Sequence, residues 1–163
     1  MKHETLKEQI ECVSEWADAV FADAGEILPM WHAIDADGTN HIIPALMPDK
    51  DAMAAALRAF CKEKNAVRLM FITEAWTCAT DDQKVAEQAM AWMRAGKTLE
   101  SFPGRIEVLM FSCEDETGTL NAHRRIIRGE GKPTLGPLEW FPANSTLEGR
   151  FTNMLGGTKC TKH

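Results

Sequence analysis

Residues 68–78 read Arg68-Leu69-Met70-Phe71-Ile72-Thr73-Glu74-Ala75-Trp76-Thr77-Cys78, the most strand-like stretch of the chain. The period-two geometry of a strand puts Met70, Ile72, Glu74 and Trp76 on one face and Leu69, Phe71, Thr73 and Ala75 on the other. Both faces are largely apolar. A half-solvated strand would alternate apolar and polar, so this one is expected at the centre of a sheet, covered on both sides or closed by a second copy.

Toward the N-terminus, Leu6, Ile10, Val13, Ala17, Val20 and Ala24 recur at spacings of four and three, the stripe of one helical face. Thr5 with Glu8 forms a capping box and Gly25 supplies the stop. Trp16 falls beside that stripe and is expected to be partly exposed. Two extended runs follow, Met30 to Ile34 and Thr39 to Ala45, joined by Asp35-Ala36-Asp37-Gly38, a strong hairpin signal because glycine reaches positive φ without steric cost. Asp49 or Asp51 can cap a second helix to Lys64, with Met53, Leu57, Phe60 and Cys61 inside and Asn65 as its end.

Toward the C-terminus, Thr80 with Gln83 suggests a capping box for a helix to Ala95, with Val85, Ala89 and Trp92 inward and Gly96 as its stop. Arg105 to Glu114 and Thr119 to Arg128 are two more strands around the turn 115–118. After a Gly/Pro-rich segment, Leu138 to Phe141 forms at most a short edge strand. Ser145 with Glu148 opens a last helix carrying Leu147, Phe151 and Leu155 and closed by Gly156-Gly157. The expected class is α+β: residues 1–157 as one domain, in α-β-β-α-β-α-β-β-α order, with a mostly antiparallel five-stranded sheet and helices mainly on one face. Residues 158–163 read as a flexible tail.

The chain has 163 residues, of which 45% are hydrophobic and 26% charged. That length suits one domain, and that composition is globular rather than disordered or collagen-like. Five scattered cysteines (Cys12, Cys61, Cys78, Cys113, Cys160) with no Cys-x-x-Cys read as free thiols of a reducing compartment. With no apolar signal region near Met1, the expected location is cytoplasmic.

Without its inserted helix, the element order resembles the roadblock and longin-like scaffolds, which implies dimerisation or small-protein binding more than catalysis. A second resemblance rests on Phe71-Ile72-Thr73-Glu74-Ala75-Trp76, followed by Phe102-Pro103-Gly104-Arg105 and the apolar strand 106–111. This is similar to a group of small uncharacterised bacterial and phage proteins with a Phe-x-Ser/Thr-Glu-Ala-Trp strand, and it implies no activity.

Glu74 is the first chemical candidate. An unpaired polar group in an apolar strand costs on the order of 2–7 kcal/mol, so it should pair with Arg105, Arg124 or Arg128, lie near the exposed strand end, or reach a cleft as a general acid. His123-Arg124-Arg125 with Arg128 is the one dense basic cluster. It reads either as an anion contact or as the answer to Glu114-Asp115-Glu116. His32 and His41 flank the hairpin with Asp35 and Asp37 between them, a thin basis for metal, and solvated hairpin residues are the default. Gly129-Glu130-Gly131-Lys132 lacks the Ser/Thr and the earlier glycine of a phosphate loop, and Gly-x-Ser-x-Gly is absent. No catalytic, cofactor or metal set is therefore expected. Glu74, Trp76, His123, Arg124, Arg125 and Arg128 stand as candidate interaction or ligand residues.

The chain holds five Trp, nine Met and no Tyr, a composition that serves a core or an interaction surface equally well. Its net charge of −6 is unevenly placed: residues 1–60 carry eleven acidic and four basic side chains, residues 61–163 thirteen and fourteen. The expected function is a non-enzymatic protein-binding module, self-associating or aimed at a basic partner, of which a phage-type inhibitor or accessory protein is one form. The rival is an enzyme or small-ligand binder with a pocket around Glu74, His123 and an arginine. Net acidity opposes nucleic acid as the partner, although the uneven split weakens that objection.

Overall fold

The computed structural model describes residues 5–78, 82–142 and 154–156. Helix α1 spans Leu6–Ala24. Thr5 accepts from the Glu8 amide while the Glu8 carboxylate accepts from the Thr5 amide, and Gly25 closes the helix at φ 76°. Strands β1 (Met30–Asp35) and β2 (Asn40–Pro44) form the expected hairpin. Helix α2 (Lys50–Lys64) is capped by Asp49, whose carboxylate accepts from the Asp51 and Ala52 amides, and ends at left-handed Asn65. Strand β3 (Ala66–Thr77) leads to α3 (Gln83–Arg94), a 3-10 turn over Leu99–Ser101, β4 (Ile106–Asp115), β5 (Gly118–Ile127) and β6 (Thr134–Trp140).

The sheet has six strands rather than five, ordered β2-β1-β3-β4-β5-β6, with every neighbouring pair antiparallel. The additional strand, β6, begins inside the Gly/Pro-rich segment. An edge strand tolerates Pro137 because a proline needs no ladder partner on its outer side, and the register slips between Arg124 and Ile126 to admit the run.

The helices do not share one face. Successive β3 side chains alternate: Met70 and Ile72 are buried in one core with Ile10, Ala17 and Phe21 of α1. Leu69 is buried in a second core with Met53, Leu57 and Cys61 of α2. Antiparallel steps from β2 to β1 to β3 leave β2 and β3 running the same way, so α2 carries the chain across β1 and covers the face opposite α1. The doubly apolar β3 is thus third in the sheet and packed from both sides.

A smaller difference concerns α3. Its cap is Asp82, accepting from the Lys84 and Val85 amides. A short acidic side chain one residue before the helix takes the role assigned to Thr80, which lies outside the described residues. Also outside them are the Ser145/Glu148 box, most of the helix it was to open, and the tail. Of that stretch the structure describes Met154, buried in the α2 core, and Leu155, whose amide donates to Glu114 at 2.7 Å.

Candidate functional site

Strand register separates the six candidate residues. Glu74 stands opposite Leu109 and Leu109 opposite Arg124, so these share the α1 face. His123 stands opposite Met110, and Met110 opposite Thr73, on the other face, together with Arg125. Glu74 and His123 therefore do not line a common pocket.

On the α1 face the charges serve packing. Arg124 is buried, and its guanidinium donates to the carbonyls of Gly136 (2.6 Å), Ser14 (3.1 Å) and Leu135 (3.5 Å) while meeting Asp18 of α1 at 2.6 Å. One side chain thus ties α1, β5 and β6 together, using the planar five-donor fork that suits arginine to such a place. Glu74 accepts from the buried Ile27 amide at 2.9 Å, pinning the segment between α1 and β1. Its other oxygen lies 3.9 Å from Arg128, whose closer partner is Glu107, paired bidentately at 2.6 and 2.7 Å. Trp76 stacks beneath the Arg105 guanidinium, 5.0 Å from its centroid.

On the other face His123 is buried against Phe141, ring centroids 4.8 Å apart. Its Nε2 lies 3.2 Å from the exposed Glu139 carboxylate, yet neither ring nitrogen has a well-aligned hydrogen bond among the described residues. Burial lowers the His123 pKa below the usual histidine value and outweighs the opposing pull of Glu139. The ring is a neutral core group at neutral pH. Arg125 is exposed.

The hairpin histidines also part company. His41 is paired with Asp35 at 2.9 Å, and this hydrogen bond, joined by the Thr39 amide, holds the Asp35 carboxyl below its ordinary range. His32, on the α1 face, contacts Gln9 at 3.2 Å and Asn40 at 2.9 Å. Among the described residues no group of three or more His, Cys, Asp or Glu side chains is placed to hold a metal ion. Cys113 is buried and its thiol pKa is pushed up to about 12, first by burial, so it stays protonated beside Gln9.

An open, largely apolar feature lies elsewhere. Helix α1 packs over β4, β5 and β6, reaches Met70 and Ile72 of β3, and meets His32 of β1 through Gln9, which leaves β1 half-covered and β2 open on the same face. A cavity of about 290 Å³ opens there, walled by Cys12, Val13 and Trp16 of α1 and floored by Met30, His32, Asn40, Ile42 and Ile72. Trp16 at its rim is 44% exposed and Ile42 60% exposed. The floor follows from strand alternation, since Met30 and His32 face the same way as Ile42 and Asn40 opposite or beside them. The wall follows from the four-residue spacing of Cys12 and Trp16, one step off the buried stripe of α1.

Sequence reasoning found Trp16 beside the stripe but did not assemble this groove. The displaced Cys12/Trp16 pair was a usable signal. That β1 and β2 lie next to β3 and under that flank of α1 was not. Comparison of the chain with family models, with characterised proteins and with solved structures found no match.

Proposed function

We propose that this protein is a non-enzymatic binding module that engages a basic surface of a protein partner through α1 and the β1–β2 hairpin. The observation that carries this reading is the exposed apolar groove within the most acidic part of the chain. Residues 6–44 hold eight acidic side chains against one lysine, Lys7. Three of the eight meet a basic side chain, Glu11 with Lys7, Asp18 with Arg124 and Asp35 with His41, and the Glu8 carboxylate accepts from the Thr5 amide. Glu11, Glu15, Asp37 and others remain exposed. Apolar surface supplies affinity, while a one-sign field around it steers an oppositely charged partner and sets salt dependence.

The test is to isolate the chain with its cellular partner and measure the affinity of the purified pair against salt. Expected is a loss of about tenfold or more between low and several-hundred-millimolar salt, as interactions across a Debye length are screened. The double variant Glu11→Lys/Glu15→Lys, which alters only exposed positions of α1, should weaken the pair by a similar factor. Affinity indifferent to both salt and charge reversal overturns the reading.

A further inference from the structure

We infer that the groove is a seat for one amphipathic helix of the partner, lying beside α1 with its apolar stripe down and basic side chains along its flank. This rests on the binding reading above and specifies its mode.

The first support is dimensional. Neighbouring strands are about 4.8 Å apart and packed helix axes about 8–10 Å apart, so one helix covers roughly two strands. The incompletely covered part of the α1 face is two strands wide, half-buried β1 and exposed β2, with Ile72 of β3 at its inner margin. A cavity of about 290 Å³ receives a few large side chains, not a whole helix. That matches a helix resting on the rim and sending its i, i+3 or i+4, and i+7 residues into the groove. The α1 wall presents Cys12, Val13 and Trp16, and the hairpin side presents Ile42, so both sides of the seat are apolar. His32 in the floor is held by Gln9 and Asn40, which fixes its ring.

Charge selects the sign of the occupant. Glu8 and Glu15 lie four residues before and three after Cys12 and so neighbour it on the outer surface of α1, the Glu8 carboxylate also accepting from the Thr5 amide. Asp37 is exposed at the hairpin tip, close in sequence to Asn40 of the groove floor. The lone lysine of α1, Lys7, is on the opposite flank, 5.9 Å over Trp140 of β6. The outer surface of α1 around Cys12 is therefore acidic, and the helix's one basic side chain points away from the seat.

Two other occupants fit less well. A partner strand added to the free edge of β2 would pair along only a short five-residue edge and, lying in the plane of the sheet, would leave the groove uncovered. The pairing of Ala45 with Pro29 and of Asp35 with Thr39 fixes the hairpin's hydrogen-bonded parity. Asn40 and Ile42 therefore direct both backbone groups outward, and Pro44 has no N–H to offer. A second copy would bring the same −6 charge to an acidic face.

The probe is a synthetic peptide of about 18 residues with a leucine stripe at helical spacing and lysines elsewhere. It is compared with a twin carrying glutamate for lysine and with a scrambled lysine peptide of equal composition. The protein is the full chain with Cys78→Ser and Cys160→Ser, so that modification of Cys12 reports occupancy, Cys61 and Cys113 being buried. Expected is that the striped lysine peptide binds about tenfold more tightly than either control and shields Cys12. Trp16→Ala and Ile42→Ser, both at exposed positions, should each weaken it about fivefold or more while amide spectra show the fold unchanged.

Equal binding of the scrambled peptide, insensitive to Trp16→Ala, overturns the helix seat but leaves the acidic-face reading standing. Equal binding of the glutamate twin keeps an apolar seat and overturns the basic partner, and the functional reading with it. Binding of none of the three overturns the seat, while the salt dependence of the isolated pair still judges the functional reading. Concentration-dependent self-association abolished by Ile42→Ser assigns the groove to a second copy and also overturns the inference.

Discussion

One face of the sheet has two halves that differ in everything except their strand chemistry. Over β4, β5 and β6, α1 is locked down: Ile10, Ala17 and Phe21 are buried against Leu109, Phe111 and Ala122, and Arg124 clamps Ser14, Asp18 and β6. Over β1 and β2 the same face carries Met30 and Ile42, yet its cover is only the flank of α1, and Trp16 and Ile42 stand in solvent. Apolar side chains occur in both halves. What differs is that one half has a buried polar clamp fixing the helix in place, and α1 is too narrow to cover six strands at once. An apolar floor left beside a fixed helix is a surface built for something else to sit on.

The sharpest way to break this contrast is in the closed half. Phe111→Ala should cost about 3–5 kcal/mol, the usual range for emptying a packed aromatic site, read from denaturant midpoints at unchanged slope. A cost below about 1 kcal/mol would show that this half is not the rigid one. Next in size is Arg124→Met, which strands three carbonyls and the Asp18 carboxylate. A loss of about 3 kcal/mol is expected, whereas Asp18→Asn, at an exposed carboxylate, should cost less than about 1 kcal/mol. If both variants cost the same, the clamp is a surface ion pair and not a backbone tie.

Glu74 divides its two partners by substitution. Glu74→Ala removes the acceptor of the buried Ile27 amide and should cost about 1–2 kcal/mol. Glu74→Gln keeps a carbonyl oxygen there and loses only the long contact to Arg128, for less than about 1 kcal/mol. Equal losses would make the Arg128 pair the operative one.

The far face supplies a pH test. Burial depresses the folded pKa of His123 below its value in the unfolded chain, so as pH falls below about 6.5 the unfolded state takes up the proton first. Stability from this residue is present above that pH and declines as pH drops toward the folded value. The slope of stability between pH 7 and 5 should therefore flatten in His123→Gln. An unchanged slope would place the titrating group elsewhere. The smallest effect belongs to the open half: Trp16→Ala should move stability by about 0.5 kcal/mol or less, because the ring already meets water. A large loss would mean the groove is part of the core.

Much of the fold was legible because it is written in local terms. The Thr5/Glu8 box, Gly25, the Asp-Gly turn, Asp49 and Asn65 each act within a few residues, and all are found in place. The full length of β6 was hidden because Gly136 and Pro137 look like strand breakers, and only a place at the sheet edge makes them tolerable. For Glu74 the sequence offered three arginines on the next two strands or their ends, an exposed strand end, or a cleft. That its closest partner is a backbone amide 47 residues away depended on where the chain returns after α1.

From its sequence alone this protein reads as α+β with a mostly antiparallel sheet, a doubly apolar central strand, capped helices and an acidic N-terminal part. Periodicity, capping chemistry and charge are short-range properties, and each is read from a few neighbouring side chains. Which face each helix takes, which arginine is buried, and the separation of Glu74 from His123 came only with the tertiary structure. So did the groove beside α1. These depend on strand order and register, and a one-residue change of register exchanges the two faces while leaving every local pattern the same.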